Sequence, residues 1–233
     1  MATYATQRLD FPLRDDLFQD FDRAMGFDWM AYVTYVDARP VLATLTRWGY
    51  NTMSAQMALP LIVFAYLSKH RELRVYLATI AMSLLGVIFI AMLLPALPPL
   101  AHLAKGAFHN IRFSGITPVN ELLRLRGSAP MLVDGDFGGM INFPSFHAVV
   151  GIVIPMVLRR TKLFAPLVAV NIALLSGTVT EGGHYFCDIV AGGVLGALAY
   201  LVADRLQRLE GSRRGTPDAP IAATALALSI PAE

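Results

Sequence analysis

Charged residues are scarce in this 233-residue chain, at 15% of the total, while 55% of the residues are hydrophobic. The mean hydropathy of +0.53 is too high for an ordinary soluble domain. The formal net charge is only +2, and the sequence gives no support for nucleic-acid binding. These shortages predict a polytopic membrane protein that binds no nucleic acid.

Cysteine is nearly absent, since the sequence contains only Cys187. A single thiol excludes an internal disulfide and a cysteine-pair redox or metal motif. We therefore expect Cys187 to be a small apolar side chain on a helix. The first forty residues also lack the apolar core of a cleavable signal peptide, because charges occur throughout them.

Residues 1–40 carry seven aspartates and four arginines, and their large apolar residues recur at roughly helical spacing. This pattern predicts one or two amphipathic helices that lie on a membrane face. The alternative is a solvated arm that packs on the rest of the protein.

The remaining chain contains five apolar stretches, and a membrane span needs about 20 residues. These stretches are residues 41–67, 75–94, 146–158, 163–179 and 185–203. We expect polar side chains in the first to form helix–helix hydrogen bonds, and Gly192, Gly193 and Gly196 to allow close helix approach in the last.

The predicted fold is therefore all-α, a membrane helical bundle of about five transmembrane helices with interfacial N-terminal helices. The predicted domains are an interfacial segment at 1–40, a membrane-embedded domain at 41–208 and a disordered cytoplasmic tail at 209–233.

Basic residues cluster at 69–74, 159–162 and 205–214. All three clusters fall on one side if the five spans alternate, and the positive-inside rule makes that side cytoplasmic. We expect a bacterial inner-membrane protein whose active site lies on the periplasmic or extracellular face.

Two motifs combine histidine with other polar groups at the ends of apolar stretches. His184 and Asp188 are four residues apart, so a helix beginning near His184 would place them on one face. The carboxylate would fix the imidazole tautomer and leave the other nitrogen as a nucleophile. In the other motif, Pro144 and Ser145 read as a helix start, with Ser145 near the N-cap and His147 as a general acid beside a bound phosphate.

These motifs resemble those of the type 2 phosphatidic acid phosphatase superfamily. Pro144-Ser145-Phe146-His147 is similar to its Pro-Ser-Gly-His motif, and His184 with Asp188 to its His-x-x-x-Asp motif. The resemblance implies that His184 becomes phosphohistidine, that Asp188 orients it, and that His147 protonates the leaving group. It implies no cofactor, and a phospholipid or sphingolipid substrate.

The chain also departs from the family pattern. Gly177 and Thr178 stand where the phosphatases have Ser-Arg, so an arginine that grips phosphate is missing. Lys105 and Arg112 match the Lys-x6-Arg part of another motif of the family, although Phe113 stands where that motif has proline. Arg126 is a candidate substitute for the missing arginine that binds phosphate.

The pattern around the two histidine motifs looks more like the inositol phosphorylceramide synthase branch and its sphingomyelin synthase relatives, which transfer headgroups between lipids. The residues that carry this likeness are Thr178, Gly182, His184-Tyr185 and Phe143-Pro144-Ser145.

The function predicted from these observations is that of a lipid phosphatase or headgroup phosphotransferase. Two other classes stay open. Two histidines and a carboxylate also resemble the ligand set of a zinc or non-haem iron enzyme, and the lost Ser-Arg is compatible with a degenerate, non-catalytic membrane scaffold.

Overall fold

The computed structural model describes residues 11–103, 108–113 and 141–214, and within that part the secondary structure is helical with no strand. This confirms the predicted all-α class. The helices are α1 (Asp15–Ala24), α2 (Trp29–Asp37), α3 (Pro40–Asn51), α4 (Met53–Tyr66), α5 (His70–Leu93), α6 (Leu100–Leu103), α7 (Phe146–Leu158), α8 (Phe164–Thr180) and α9 (Phe186–Arg214).

Several helix starts follow from local chemistry. The Asp28 carboxylate accepts a hydrogen bond of 2.9 Å from the Ala31 N–H and so caps α2. Pro40 occupies the first turn of α3, where a missing N–H costs nothing. Ser145 caps α7 by accepting from the Ala148 N–H at 3.4 Å, as the sequence predicted.

Two helices, His70–Leu93 and Phe186–Ser212, are long and apolar enough to cross a membrane. Three further apolar helices, α4, α7 and α8, are shorter. The predicted first span is divided at Thr52 into α3 and α4. Two candidate spans with shorter apolar helices are compatible with a membrane protein, and the count of about five stays a prediction.

The outward faces of the long helices are apolar. On α5, Leu85 and Phe89 are 68% and 59% exposed. On α9, Val194 and Leu198 are 54% and 55% exposed. Spacing of four residues places each pair on one face of its helix, and such continuous exposed apolar surface is typical of a membrane or protein interface.

Helix α7 lies at the centre of the bundle, packed against α4, α5, α8 and α9. Its valines 149, 150 and 153 and Ile154 are fully buried. Polar groups inside the bundle pair with one another, as expected for the first apolar stretch. The Asn171 side-chain amide of α8 donates to the Gln56 carbonyl of α4 at 2.7 Å, and both side chains are buried.

Glycines let α9 approach α7, as the sequence predicted. A Cβ at Gly192 would overlap the backbone carbonyl oxygen of Ser145, and a Cβ at Gly196 would lie 3.0 Å from the Val153 side chain. The close approach at Gly192 brings α9 against the start of α7, where Ser145 and His147 lie.

We expect Gly192→Ala to lower the free energy of unfolding by about 1–3 kcal/mol, because backbone atoms cannot yield to the added methyl group. Gly211→Ala on the same helix is the matched control, since its Cβ would meet nothing within 4 Å. Thermal unfolding in detergent measures both. Equal melting temperatures for the two variants would contradict the close packing.

The N-terminal segment forms two helices, as predicted, and they pack on the bundle, as in the alternative of a packed arm. The N-terminal forty residues contribute α1 and α2, which bury Phe18, Trp29 and Val33 against the bundle. At the other end, α9 continues to Arg214, so residues 209–214 of the predicted tail are helical. The remainder of that tail lies outside the described residues.

Candidate active site

The His184–Asp188 pair is formed at the start of α9. His184 Nδ1 lies 3.1 Å from Asp188 Oδ2, and both residues are buried. The predicted helix start is wrong by two residues, because α9 begins at Phe186 and His184 precedes it. The pair forms because Asp188, in the first helical turn, reaches back and also accepts the Tyr185 N–H at 2.9 Å. This is the geometry of a capping box, in which an acidic side chain satisfies a backbone donor at the helix entrance.

His147 lies in the first turn of α7, two residues after the N-cap Ser145. The Ser145 N–H donates to the backbone carbonyl of Asp188 at 3.1 Å. This bond joins the two motif segments directly, because it connects the entrance of α7 to the first turn of α9. Ser145 itself is fully buried.

The two imidazole rings are therefore neighbours, although they are far apart in sequence. The centroids of His147 and His184 are 6.4 Å apart and their planes are inclined by 59°. The phenol ring of Tyr50 on α3 stacks on His147 with a centroid distance of 4.2 Å. Gly182 fits between these groups, because a Cβ there would lie 2.9 Å from His184 and 3.2 Å from Tyr50.

A second carboxylate lies behind the pair. Asp22 of α1 is only 3% exposed. Its two oxygens accept hydrogen bonds of 2.8 Å from the N–H groups of Phe186 and Cys187 at the start of α9. Cys187 is buried next to α1, with its Sγ 3.7 Å from the carbonyl oxygen of Phe18, which agrees with the packing role expected for it.

The segment between α8 and His184 is tied to residues 108–113 by Arg47. The Arg47 guanidinium lies 3.4 Å from the Glu181 carboxylate and also donates to the Asn110 carbonyl. The Arg112 backbone N–H donates to Glu181 as well. Arg112, whose side chain is exposed, is thereby held close to the chain that leads to His184.

Asp37 fixes the same segment from α2. Its carboxylate accepts the N–H groups of His109, Asn110 and Ile111 at distances of 2.7–3.0 Å. These bonds lower the pKa of Asp37, even though burial acts in the opposite direction. The N-terminal helices therefore support two parts of the site region, through Asp22 and Asp37.

Of the predicted site residues, the structure brings His147, His184, Asp188 and Ser145 together and places Arg112 beside Glu181. The predicted residues Lys105 and Arg126 lie outside the described part of the chain. Sequence reasoning missed Tyr50, Arg47 and Asp22. A signal existed for Arg47, which is a charged residue inside the first apolar stretch and so a functional candidate by default.

Burial lowers the pKa of His184 to about 4. A hydrogen bond between the imidazole and the Asn142 backbone acts in the opposite direction but has the smaller effect. The imidazole is therefore neutral at pH 7 and retains a lone pair. Burial raises the pKa of the Glu181 carboxyl, because it also disfavours the charged form there, although Arg47 and Arg112 oppose that shift.

The low pKa of His184 makes stability depend on pH. Because the ordinary value is 6.5, the unfolded chain binds more protons than the folded one between about pH 6.5 and 4. The protein should therefore lose stability as the pH falls through this window, on the order of 1–2 kcal/mol from pH 7 to pH 5 for this one group. Unfolding at both pH values should show a smaller loss for His184→Gln than for the wild type, and an equal loss would contradict the shift.

The contacts of the Asp188 carboxylate bear on the metal-site alternative. Asp188 is bonded to Nδ1 of His184 and to the Tyr185 N–H, which is the role of an orienting group rather than of a third ligand. Among residues 11–103, 108–113 and 141–214, no three His, Cys, Asp or Glu side chains are placed to hold a metal ion.

The fold and site thus define a class: all-helical proteins, compatible with a membrane, in which a His–Asp pair and a second histidine meet where two helices begin. Residues 16–202 match the PAP2 superfamily, and the chain belongs to that superfamily. The match confirms the predicted superfamily, whose members are generally phosphatases, and favours phosphatase or phosphotransferase activity. Comparison with curated proteins and with solved structures found no match.

Proposed function

We propose that this protein is an integral membrane enzyme that transfers a phosphoryl or phosphorylated headgroup from a lipid through a phosphohistidine at His184. The observation that carries the proposal is the meeting of three groups. The rings of His147 and His184 lie 6.4 Å apart, and Asp188 occupies Nδ1 of His184.

The proposed reaction has two steps. Nε2 of His184 attacks phosphorus, the P–O bond to the leaving group breaks, and His147 gives its proton to the departing oxygen. Water or an alcohol then attacks the phosphohistidine, giving its proton to His147, and the P–N bond breaks. Asp188 holds the imidazole in the Nδ1–H tautomer and stabilises the positive charge that develops on it. No cofactor is needed for this sequence.

Phosphate binding needs cationic and N–H groups. Of the residues proposed for this role, Arg112 is near the site through its contact with Glu181, and Ser145 lies at the entrance of α7, where backbone N–H groups favour an anion. We retain Lys105 and Arg126 as further proposed ligands on the basis of sequence. The three basic residues would together supply the positive charge that the arginine of the missing Ser-Arg pair supplies in the phosphatases.

The distribution of basic groups supports an orientation in the membrane. Arg71 at the start of α5 pairs with Asp204 of α9 at 2.6 Å, so two of the basic clusters meet at one end of the bundle. Asp188 is sixteen residues from Asp204 along α9, or about 24 Å. The site is therefore at the opposite end, and we propose that the basic end is cytoplasmic and the site periplasmic or extracellular.

We propose a lipid as the substrate because the helices beside the site carry exposed apolar faces and the reacting groups lie at helix ends. The motif pattern favours a headgroup transferase of the inositol phosphorylceramide synthase type over a hydrolase. The site itself lies between α3, α7 and α9, and we propose that a lipid headgroup reaches it from the membrane surface.

Purified protein in proteoliposomes should be incubated with ³²P-labelled phosphatidic acid, and separately with unlabelled ceramide and phosphatidylinositol that carries ³²P in its headgroup. Released inorganic phosphate identifies a phosphatase, and a labelled sphingolipid identifies a transferase. Both reactions should pass through a labelled protein that is stable in alkali and labile in acid, as a phosphohistidine is. A protein that acquires no label and converts neither substrate would favour a non-catalytic scaffold, whereas activity abolished by chelation and restored by a metal would favour the metal enzyme.

A further inference from the structure

The N-terminal helix α1 supplies a buried carboxylate to the start of α9. Asp22 is 3% exposed, and its Oδ2 and Oδ1 accept from the Phe186 and Cys187 N–H groups, each at 2.8 Å. On the same helix Asp20 faces outward: its side chain is 73% exposed and pairs with Arg23 on the helix surface.

The two N–H groups that Asp22 accepts belong to the first turn of α9, which has no intrahelical partners for them. Asp188 satisfies the donor just before them, on Tyr185. The two carboxylates thus divide the donors of one helix entrance between them. Without Asp22, two backbone N–H groups would lose their partner one and two residues before Asp188.

Aromatic packing holds α1 in this position. The ring of Phe18, one turn before Asp22, stacks on Phe143 at a centroid distance of 4.3 Å and lies 5.9 Å from Tyr185. Phe143 precedes the Pro144-Ser145 start of α7, and Tyr185 follows His184. One helix therefore contacts the segments that carry both histidines.

We propose that Asp22 is a positioning residue of the active site, which fixes the start of α9 so that the Asp188 carboxylate meets Nδ1 of His184. Asp22 touches no reacting atom and acts through Asp188. The proposal extends the function proposed above by giving the N-terminal segment a defined part in catalysis.

The positioning role has a consequence for the imidazole proton. Asp188 Oδ2 lies 3.1 Å from Nδ1 of His184, where we expect it to accept the Nδ1 proton, and the Asn142 backbone also hydrogen bonds to the same ring. When the start of α9 shifts, the bond to Asp188 lengthens and the two acceptors compete. We therefore expect loss of Asp22 to change the tautomer of His184 as well as the rate.

The kinetic test compares Asp22→Ala with Asp20→Asn, the matched control on the exposed face of α1. Asp22→Ala should lower kcat for the lipid substrate about 10- to 100-fold per folded molecule, with KM changed less than threefold, because the reacting groups and not the lipid contacts are displaced. Asp22→Asn keeps one acceptor oxygen and should lie between Asp22→Ala and the wild type. Asp20→Asn should match the wild type, and an unchanged kcat in Asp22→Ala would overturn the proposal.

A second measurement separates this proposal from the proposed function. In protein labelled with ¹⁵N-histidine, the His184 signals, assigned by their loss in His184→Gln, should report the Nδ1–H tautomer in the wild type and a mixture in Asp22→Ala or Asp22→Asn. This readout needs no turnover, so it decides the role of Asp22 even if the wild type proves inactive. An unchanged tautomer in both folded variants would overturn the proposal whatever the activity.

Discussion

His184→Ala is expected to abolish turnover, lowering kcat by roughly 10⁴-fold or more, as the loss of a covalent nucleophile does in other enzymes. His184 is the residue whose environment is built around one nitrogen, since Asp188 lies 3.1 Å from Nδ1 and burial keeps the ring neutral. A neutral ring with Nδ1 occupied offers Nε2 to phosphorus. Alanine leaves no atom that can form the phosphohistidine.

The measurement is release of ³²P from labelled lipid together with trapping of labelled protein. His70→Ala is the matched control, because His70 is exposed at the start of α5, at the end of the helix where the basic residues cluster. The control should retain full activity and the label, whereas His184→Ala should lose both. Substantial residual turnover in His184→Ala would reject the nucleophile, and label retained without His184 would place it on another residue.

The helical class followed from composition. So few charged residues indicate a membrane protein, and in a membrane the backbone N–H and C=O groups must bond within the protein, as they do in helices. Close packing of α9 was predicted from its glycines, and Gly192 indeed lies against the Ser145 carbonyl. These features depend on side-chain size and polarity, which are local properties. Side-chain size and polarity can be taken directly from the sequence.

The candidate site was predictable only in part. The motifs identified His147, His184 and Asp188, and their spacing suggested a helix from about His184. In the structure the helix starts at Phe186, and Asp188 in its first turn reaches back to the residues before it. Both arrangements place the groups four residues apart. The difference lies in which backbone donors the carboxylate satisfies, and local spacing does not determine that.

Asp22 and Arg47 show what sequence reasoning misses. Asp22 is one of seven aspartates in an amphipathic stretch, and only tertiary packing turns it inward to the entrance of α9. Arg47 was overlooked among the polar residues of the first apolar stretch, although its partner Glu181 lies three residues before His184. Contacts across more than a hundred residues depend on how the helices pack, which the single sequence does not specify.

His147→Ala is expected to lower kcat for a lipid phosphate about 10²- to 10⁴-fold, the range that proton transfer contributes in general acid–base catalysis. The size should depend on the leaving group. An alkoxide leaving from a lipid needs the proton, whereas 4-nitrophenolate departs readily without one. In the first step, measured in single-turnover reactions, the variant should therefore be slowed much less on 4-nitrophenyl phosphate than on phosphatidic acid. On the 4-nitrophenyl ester it should accumulate phosphorylated protein, because the second step lacks its base.

His147→Phe distinguishes proton transfer from packing, because a phenyl ring can still stack on Tyr50, whose ring lies 4.2 Å from that of His147. Parallel single-turnover assays of both variants on the two substrates give the ratio of the losses in the first step. If His147 acts as the acid, Phe should be as inactive as Ala on the lipid and equally tolerant of the 4-nitrophenyl ester. If Phe restores turnover of the lipid, His147 serves by packing against Tyr50, and the acid must be another group. Equal losses on the two substrates would also exclude proton donation, because a group that only positions phosphate acts on both esters alike.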